Sequence, residues 1–247
     1  MFMKIVTLIC CLLAIARIQS SAQDSSSYFR TNQMSNAIDN FMRSRSIFTA
    51  NSFSTPEGTV GTPYLFEDWG YMWLDSIDNE PVKKSVIYQA NMDLQKNEVI
   101  IKGGDGKAYI PETNNVQAMH FKKGNEVHAF VRAYLEGAMK FVEQLSTEGK
   151  YILLKDIGIT YTRADYTDKG MVQTGKPYNE YKKKYTYYLV QDSKATRIQL
   201  KKKNILSVLD KDPAAVATVN KYIPGSTVDE AELVKAIDAL NAPNTGK

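Results

Sequence analysis

Between Tyr185 and Leu209 the hydrophobic period changes, and few architectures satisfy that change. Tyr185, Tyr187 and Leu189 alternate with Thr186, Tyr188 and Val190, the two-residue period of a strand with a tyrosine-rich face. Gln191-Asp192-Ser193-Lys194 is a polar turn, and Thr196, Ile198 and Leu200 resume the same period in a second strand. Ile205, Leu206 and Leu209 then fall at helical spacing, so a hairpin runs directly into a helix. A helix that short is marginal alone and must gain its stability by packing.

Upstream the text is strand and turn, repeated. Tyr71–Ser76 ends in the turn-rich Ile77-Asp78-Asn79-Glu80-Pro81. Lys83–Asp93, with Val86, Tyr88, Ala90 and Met92 on one face, is followed by Glu98–Lys102, Lys107–Ile110 and Val116–Phe121. Gly103-Gly104-Asp105-Gly106 supplies the positive φ angles of a tight hairpin. Asn125–Tyr134, Lys140–Leu145 and Tyr151–Lys155 are the next strands; Ile159, Tyr161 and Val172 hint at more. Connections this short do not cross a sheet between parallel strands, so the strands read as antiparallel neighbours in a meander. After Leu209, Asp212-Pro213 opens a helix over Pro213–Tyr222. Thr227 and Glu230 read as the capping box of another over Val228–Leu240. The expected fold is mainly β: an antiparallel meander, curved or folded on itself, with two or three short C-terminal helices. The β domain spans 61–200, and the helices of 201–247 pack on it.

The N-terminus sets the expected compartment. Lys4, the eleven-residue apolar run Ile5–Ile15 and the small residues Ser20-Ser21-Ala22 predict a signal peptide over 1–22. The run is shorter than the roughly 20 residues that cross a bilayer, and no later stretch is apolar and long enough to do so. Cleavage after Ala22 removes Cys10 and Cys11, the only cysteines, so burial rather than disulfides must stabilise the exported chain. Residues 23–60 form a polar segment or linker, with one amphipathic helix suggested by Met34, Ile38, Phe41 and Met42.

The net charge is +4, and loss of Lys4 and Arg17 lowers it to about +2. Its distribution is uneven. Ser46–Val82 holds no Lys or Arg but has Glu57, Glu67, Asp68, Asp75, Asp78 and Glu80. Lys182–Lys203 holds seven Lys and one Arg against Asp192 alone. Lys182, Lys183 and Lys184 precede the hairpin and Lys201, Lys202 and Lys203 follow it, so the two triplets fall at one end. With Tyr185, they form the candidate surface for an anionic partner, an envelope component in particular. Lysines at strand edges also guard against aggregation, and the near-neutral total argues against nucleic acid.

The exported N-terminus, GTPYLFEDW at Gly61–Trp69, the run of strands, KYILLK at Lys150–Lys155, and YYLV followed by IQLKKKNILSVL up to Leu209 together resemble a known family. It is the set of uncharacterised exported proteins, periplasmic or on the outer surface, common in Bacteroidota-type bacteria. The resemblance covers Gly61 to Leu240 and implies the compartment and the fold. It brings no activity, cofactor or catalytic residue.

The residues themselves suggest no cofactor or metal. His120 and His128, the only histidines, face one another across a three-residue loop or are offset by one across a two-residue loop. Zinc takes at least three protein ligands, and no cysteine remains to help. No Gly-x-Ser-x-Gly, phosphate loop or His-Glu-x-x-His occurs. Glu67 and Asp68 beside Trp69 suggest a sugar site, but adjacent carboxylates on a strand point oppositely, and Trp69 reads as core. Two functions remain: a non-catalytic exported binding protein of the envelope, or a hydrolase of envelope or dietary polymers.

Overall fold

The computed structural model describes residues 44–48, 53, 55–82, 86–168 and 173–242. The chain forms two compact units, Met1–Arg43 and Ser44–Lys247, and the described residues all belong to the second. The signal peptide, the Met34–Met42 helix, Lys83 and Val172 lie outside them.

A thirteen-stranded sheet dominates. Its strands are β1 (Ser44–Phe48), β2 (Thr59–Val60), β3 (Gly70–Ile77), β4 (Glu80–Pro81), β5 (Tyr88–Asp93), β6 (Glu98–Lys102), β7 (Ala108–Pro111), β8 (Val116–Lys123), β9 (Glu126–Leu135), β10 (Ala138–Gln144), β11 (Ile152–Thr162), β14 (Asn179–Gln191) and β15 (Lys194–Ile198). A separate pair, β12 (Thr167–Asp168) and β13 (Gln173–Thr174), sits in the β11–β14 connection. The order is β1-β7-β6-β5-β3-β8-β9-β10-β11-β14-β15, antiparallel throughout and open at both ends. β4 pairs with β3, and β2 lies parallel to β14, so the sheet is mixed but mostly antiparallel. Two strands thus come from the stretch read as linker. Both are short or peripheral, and SRSIF and TV show no alternation to betray them.

The meander breaks at one place. β8 pairs with β3, not with β7, although only Glu112–Asn115 join β7 to β8. Four antiparallel steps separate those strands, so they run the same way. In a flat sheet the end of one and the start of the other would lie at opposite ends and about 19 Å apart sideways. Four connecting residues reach at most about 18 Å, and these include a turn in which Val116 N–H donates to Thr113 O. The sheet must therefore fold on itself. Asn97, in the β5–β6 turn with φ of 57°, shows where it does. Its side-chain amide donates to Phe141 O at 2.8 Å and accepts from Phe141 N–H at 2.7 Å. The β5–β6 turn thus docks at Phe141 on the edge of β10 away from β9, since β10 meets β11 only at Glu143 and Gln144.

The inner face holds the core. Met72 pairs with Phe121, Leu74 with Met119, and Met119 with Phe130, all buried. The strap Pro63–Trp69 is tied over β5 by Asn91, whose buried amide accepts from Phe66 N–H and donates to Phe66 O. A Cβ on Gly61, which has a φ of +76°, would sit 2.2 Å from Tyr181 O, so only glycine admits the strap so close to β14.

Three helices close the chain: α1 (Lys202–Val208), α2 (Pro213–Tyr222) and α3 (Glu230–Asn241). They share one cluster with the sheet, in which Ile205, Leu209, Val219, Leu233 and Ile237 meet Tyr151, Leu153, Tyr187, Leu189 and Ile198. Leu206 is only partly buried there, and Ile205 occupies the inner position instead. Asp212 caps α2 as expected, accepting from Ala214 and Ala215 N–H. The capping box of α3 is Asp229 with Glu232, two residues beyond Thr227 and Glu230. Thr227 is still extended, bridged to Lys201, so the helix cannot begin there.

Candidate binding surface

β11 and β14 pair over eleven positions, from Ile152↔Val190 to Thr162↔Glu180. β15 covers β14 only from Tyr187 onward, and β10 reaches β11 only at Leu154 and Lys155. The far half, Asp156–Thr162 with Glu180–Thr186, is a two-stranded ribbon that β2 meets only at Asn179 and Glu180. It carries the first lysine triplet. Strand alternation puts Lys182 and Lys184 on one face, both exposed, and Lys183 and Tyr185 on the other. Lys184 stands opposite Gly158, which gives it no side-chain neighbour, and Lys182 stands opposite Thr160. Glu180 is taken by Lys176. Among the described residues no carboxylate forms an ion pair with Lys182 or Lys184. Tyr161 and Tyr181 pack with their rings tilted by 39° and centroids 4.7 Å apart at the ribbon's tip.

The second triplet is placed differently. β15 ends at Ile198, and Lys201 has left it to bridge Thr227. Lys202 and Lys203 open α1 and line a shallow groove with Leu206, Pro224, Gly225 and Ser226. Lys203 and Lys201 are exposed and Lys202 is half-buried.

Lys183 turns inward. Its Nζ donates to Leu65 O at 2.9 Å on the strap. Burial pulls its pKa below the usual lysine value, against the opposing attraction of Glu67, Glu126 and Glu143. Beside it runs a partly buried polar chain that periodicity could not reveal. His128 Nδ1 lies 2.7 Å from Glu143 Oε1, and Lys155 Nζ lies 2.7 Å from Glu143 Oε2. The lysine contact lies off the hydrogen-bond direction, so Oε2 is charge-paired but not hydrogen-bonded. Lys155 also reaches Glu230 at 3.2 Å, and Tyr187 O–H donates to Glu230 Oε2 at 2.6 Å. Burial would raise the Glu143 carboxyl; the hydrogen bond with His128 and the charge of Lys155 outweigh it and hold the group below the ordinary glutamate value. Burial likewise works against the Lys155 ammonium, yet Glu143 and Glu230 lift it above the ordinary lysine value. Each member comes from a different strand or helix, and the register Glu143↔Lys155↔Tyr187 brings the strand members together.

The histidines are separated by the loop between them. Gly124-Asn125 is a two-residue turn, so His128 faces Phe121 and His120 faces Ala129. The offset of one sends the rings to opposite faces. His120 binds Asp75, His128 binds Glu143, and neither is hydrogen-bonded to a hydroxyl among the described residues. No group of three or more His, Cys, Asp or Glu among those residues is placed to hold a metal. Glu67 and Asp68 are exposed, while Trp69 packs edge-on to Phe53. Gly103–Gly106 is the β6–β7 turn, closed by Gly103 N–H to Lys107 O.

No protein-family model matches the chain, and no curated protein or solved structure shows significant similarity to it.

Proposed function

We propose that this protein is an exported, non-catalytic binding module of the cell envelope that docks an anionic envelope component through the β11–β14 ribbon. The observation that carries this reading is the pair Lys182 and Lys184: exposed, on one face of one strand, and without an ion-pair partner among the described residues. Their Cα atoms stand about 7 Å apart, and the flexible stems let both ammonium groups reach one anionic surface. Tyr161 and Tyr181 lie on the opposite face of the ribbon, with Lys183 and Tyr185. The N-terminal charge, apolar run and small residues support export. The partly buried His128–Glu143–Lys155–Glu230–Tyr187 chain supports a non-catalytic reading, because its charged members pair with one another and its one hydroxyl, on Tyr187, bonds to Glu230.

Vesicles rich in an anionic lipid test this. The native protein is expected to attach at low salt and detach as salt rises. Each lysine near such a surface contributes about 1 kcal/mol, so changing Lys182 and Lys184 together to Gln is expected to weaken attachment about tenfold or more. Absence of attachment at low salt, or attachment that the double variant retains in full, would remove the ribbon from this role.

A further inference from the structure

The outward face of β3, remote in sequence from the lysine ribbon, carries a second set of side chains that the fold does not use. Tyr71, Trp73 and Asp75 alternate on one side of the strand, and His120 of β8 pairs directly with Trp73. The Trp73 indole and His120 imidazole lie parallel, 9° apart in plane with centroids at 5.1 Å. Asp75 Oδ2 holds His120 Nδ1 at 2.5 Å. That contact fixes the ring through Nδ1 and leaves Nε2 as its second polar atom. Among the described residues neither Nε2 of His120 nor Oδ1 of Asp75 has a partner. Both side chains are about one-third exposed, and Tyr71 is half-exposed. β3 pairs with β5 at Gly70–Met72 and with β4 at Ser76 and Ile77, and Val82 N–H donates to Asp75 O at 2.7 Å. The indole has one face on the imidazole, and no other described ring stacks on it.

We propose that Tyr71, Trp73, Asp75 and His120 form a saccharide-binding site. A pyranose has an apolar C–H face and a rim of hydroxyls, and this surface presents the complement of each. The Trp73 and Tyr71 rings take the C–H face. Oδ1 of Asp75 accepts from a hydroxyl, and Nε2 of His120 bonds to its neighbour. A carboxylate-held imidazole is fixed in orientation, so little freedom is lost when a sugar binds. The site is shallow, as suits one or two units of a longer chain. It is independent of Lys182 and Lys184 in position and in chemistry.

The chain's two tryptophans make the test direct. Trp69→Phe leaves Trp73 as the sole indole, and its emission reports on the site. Neutral hexasaccharides of β-1,4-linked glucose, xylose, mannose and N-acetylglucosamine are titrated against this variant. At least one is expected to shift or quench the emission saturably, with a Kd of about a millimolar or tighter. Asp75→Asn and His120→Ala, each added to Trp69→Phe with unchanged thermal melting, are expected to weaken that binding about fivefold or more. High salt and the Lys182, Lys184→Gln double variant are expected to leave it unchanged, which separates this site from the ribbon. No saturable response to any of the four sugars overturns the proposal. So does binding that survives both substitutions at full strength.

Discussion

Changing Glu143 to Gln is expected to destabilise the protein by about 3 kcal/mol at neutral pH, measured by denaturant unfolding. The carboxylate is buried, and its loss leaves His128 with the exposed Glu126 at 3.9 Å and Lys155 with Glu230 alone. The pH dependence has a definite sign. Glu143 has a lowered pKa in the folded state, so its contribution is complete above the ordinary carboxylate range and is lost as pH falls through the lowered value. Lys155 is raised, so its contribution is complete below the ordinary lysine value and is lost as pH rises through the raised one. The part of the difference between the native protein and the Gln variant that comes from Glu143 ionisation should therefore be fully present above about pH 5. Below about pH 4 the difference should shrink. A variant that loses stability in parallel with the native protein down to acid pH would show that Glu143 is not the ionised centre of this chain.

Leu233→Ala is expected to cost about 3 kcal/mol, within the range for a fully buried leucine. For a domain of this size that lowers the Tm by about 6–12 °C. Leu233 is fully enclosed between the helices and the strands that carry Tyr187 and Leu189. Leu206→Ala, at the partly buried position one residue beyond Ile205, is expected to cost less than about half as much. Equal losses at both sites would mean that α1 sits deeper on the sheet than its burial pattern shows. No change at Leu233 would mean that the helices melt separately from the strands.

The strands with one wet face were legible because alternation is a local property. Glu98–Lys102, legible from its flanking turns although Val99, Ile100 and Ile101 are all buried, and Pro213–Tyr222 match the expected bounds residue for residue, and the Asp192-Ser193 turn has the two positive φ angles that a two-residue hairpin requires. Lys83–Asp93 was read too long: the strand starts at Tyr88, and Val86 is exposed. β11 was read too short, because Ile157 to Thr162 belong to the ribbon and are progressively uncovered, which blurs the alternation. Tyr185 on β14 was also legible, but Lys182, Lys183 and Lys184, expected to precede the hairpin, lie on the strand itself, which starts at Asn179. The inward turn of Lys183 onto Leu65 O, the polar chain at Glu143 and the Asp75–His120–Trp73 set were not legible. Each depends on strands distant in sequence lying side by side, and on which strand β8 chooses as neighbour. A single sequence carries no local mark of that choice.

The Lys183–Leu65 contact spans 118 residues, and it sits beside the pairing of Thr59–Val60 with Asn179–Glu180. A chain leaving the ribosome or a secretion channel from its N-terminus delivers the strap early and its anchoring strand last. Until β14 arrives, Leu65 and Phe66 have only part of their final surroundings, and the inner face of β3, β8 and β9 stays partly uncovered. Contacts of such long range make folding slow and leave apolar surface exposed meanwhile. Truncation before Gln191 is therefore expected to leave the early strands prone to aggregation rather than independently folded. The final third of the chain decides when the first third becomes safe from its neighbours.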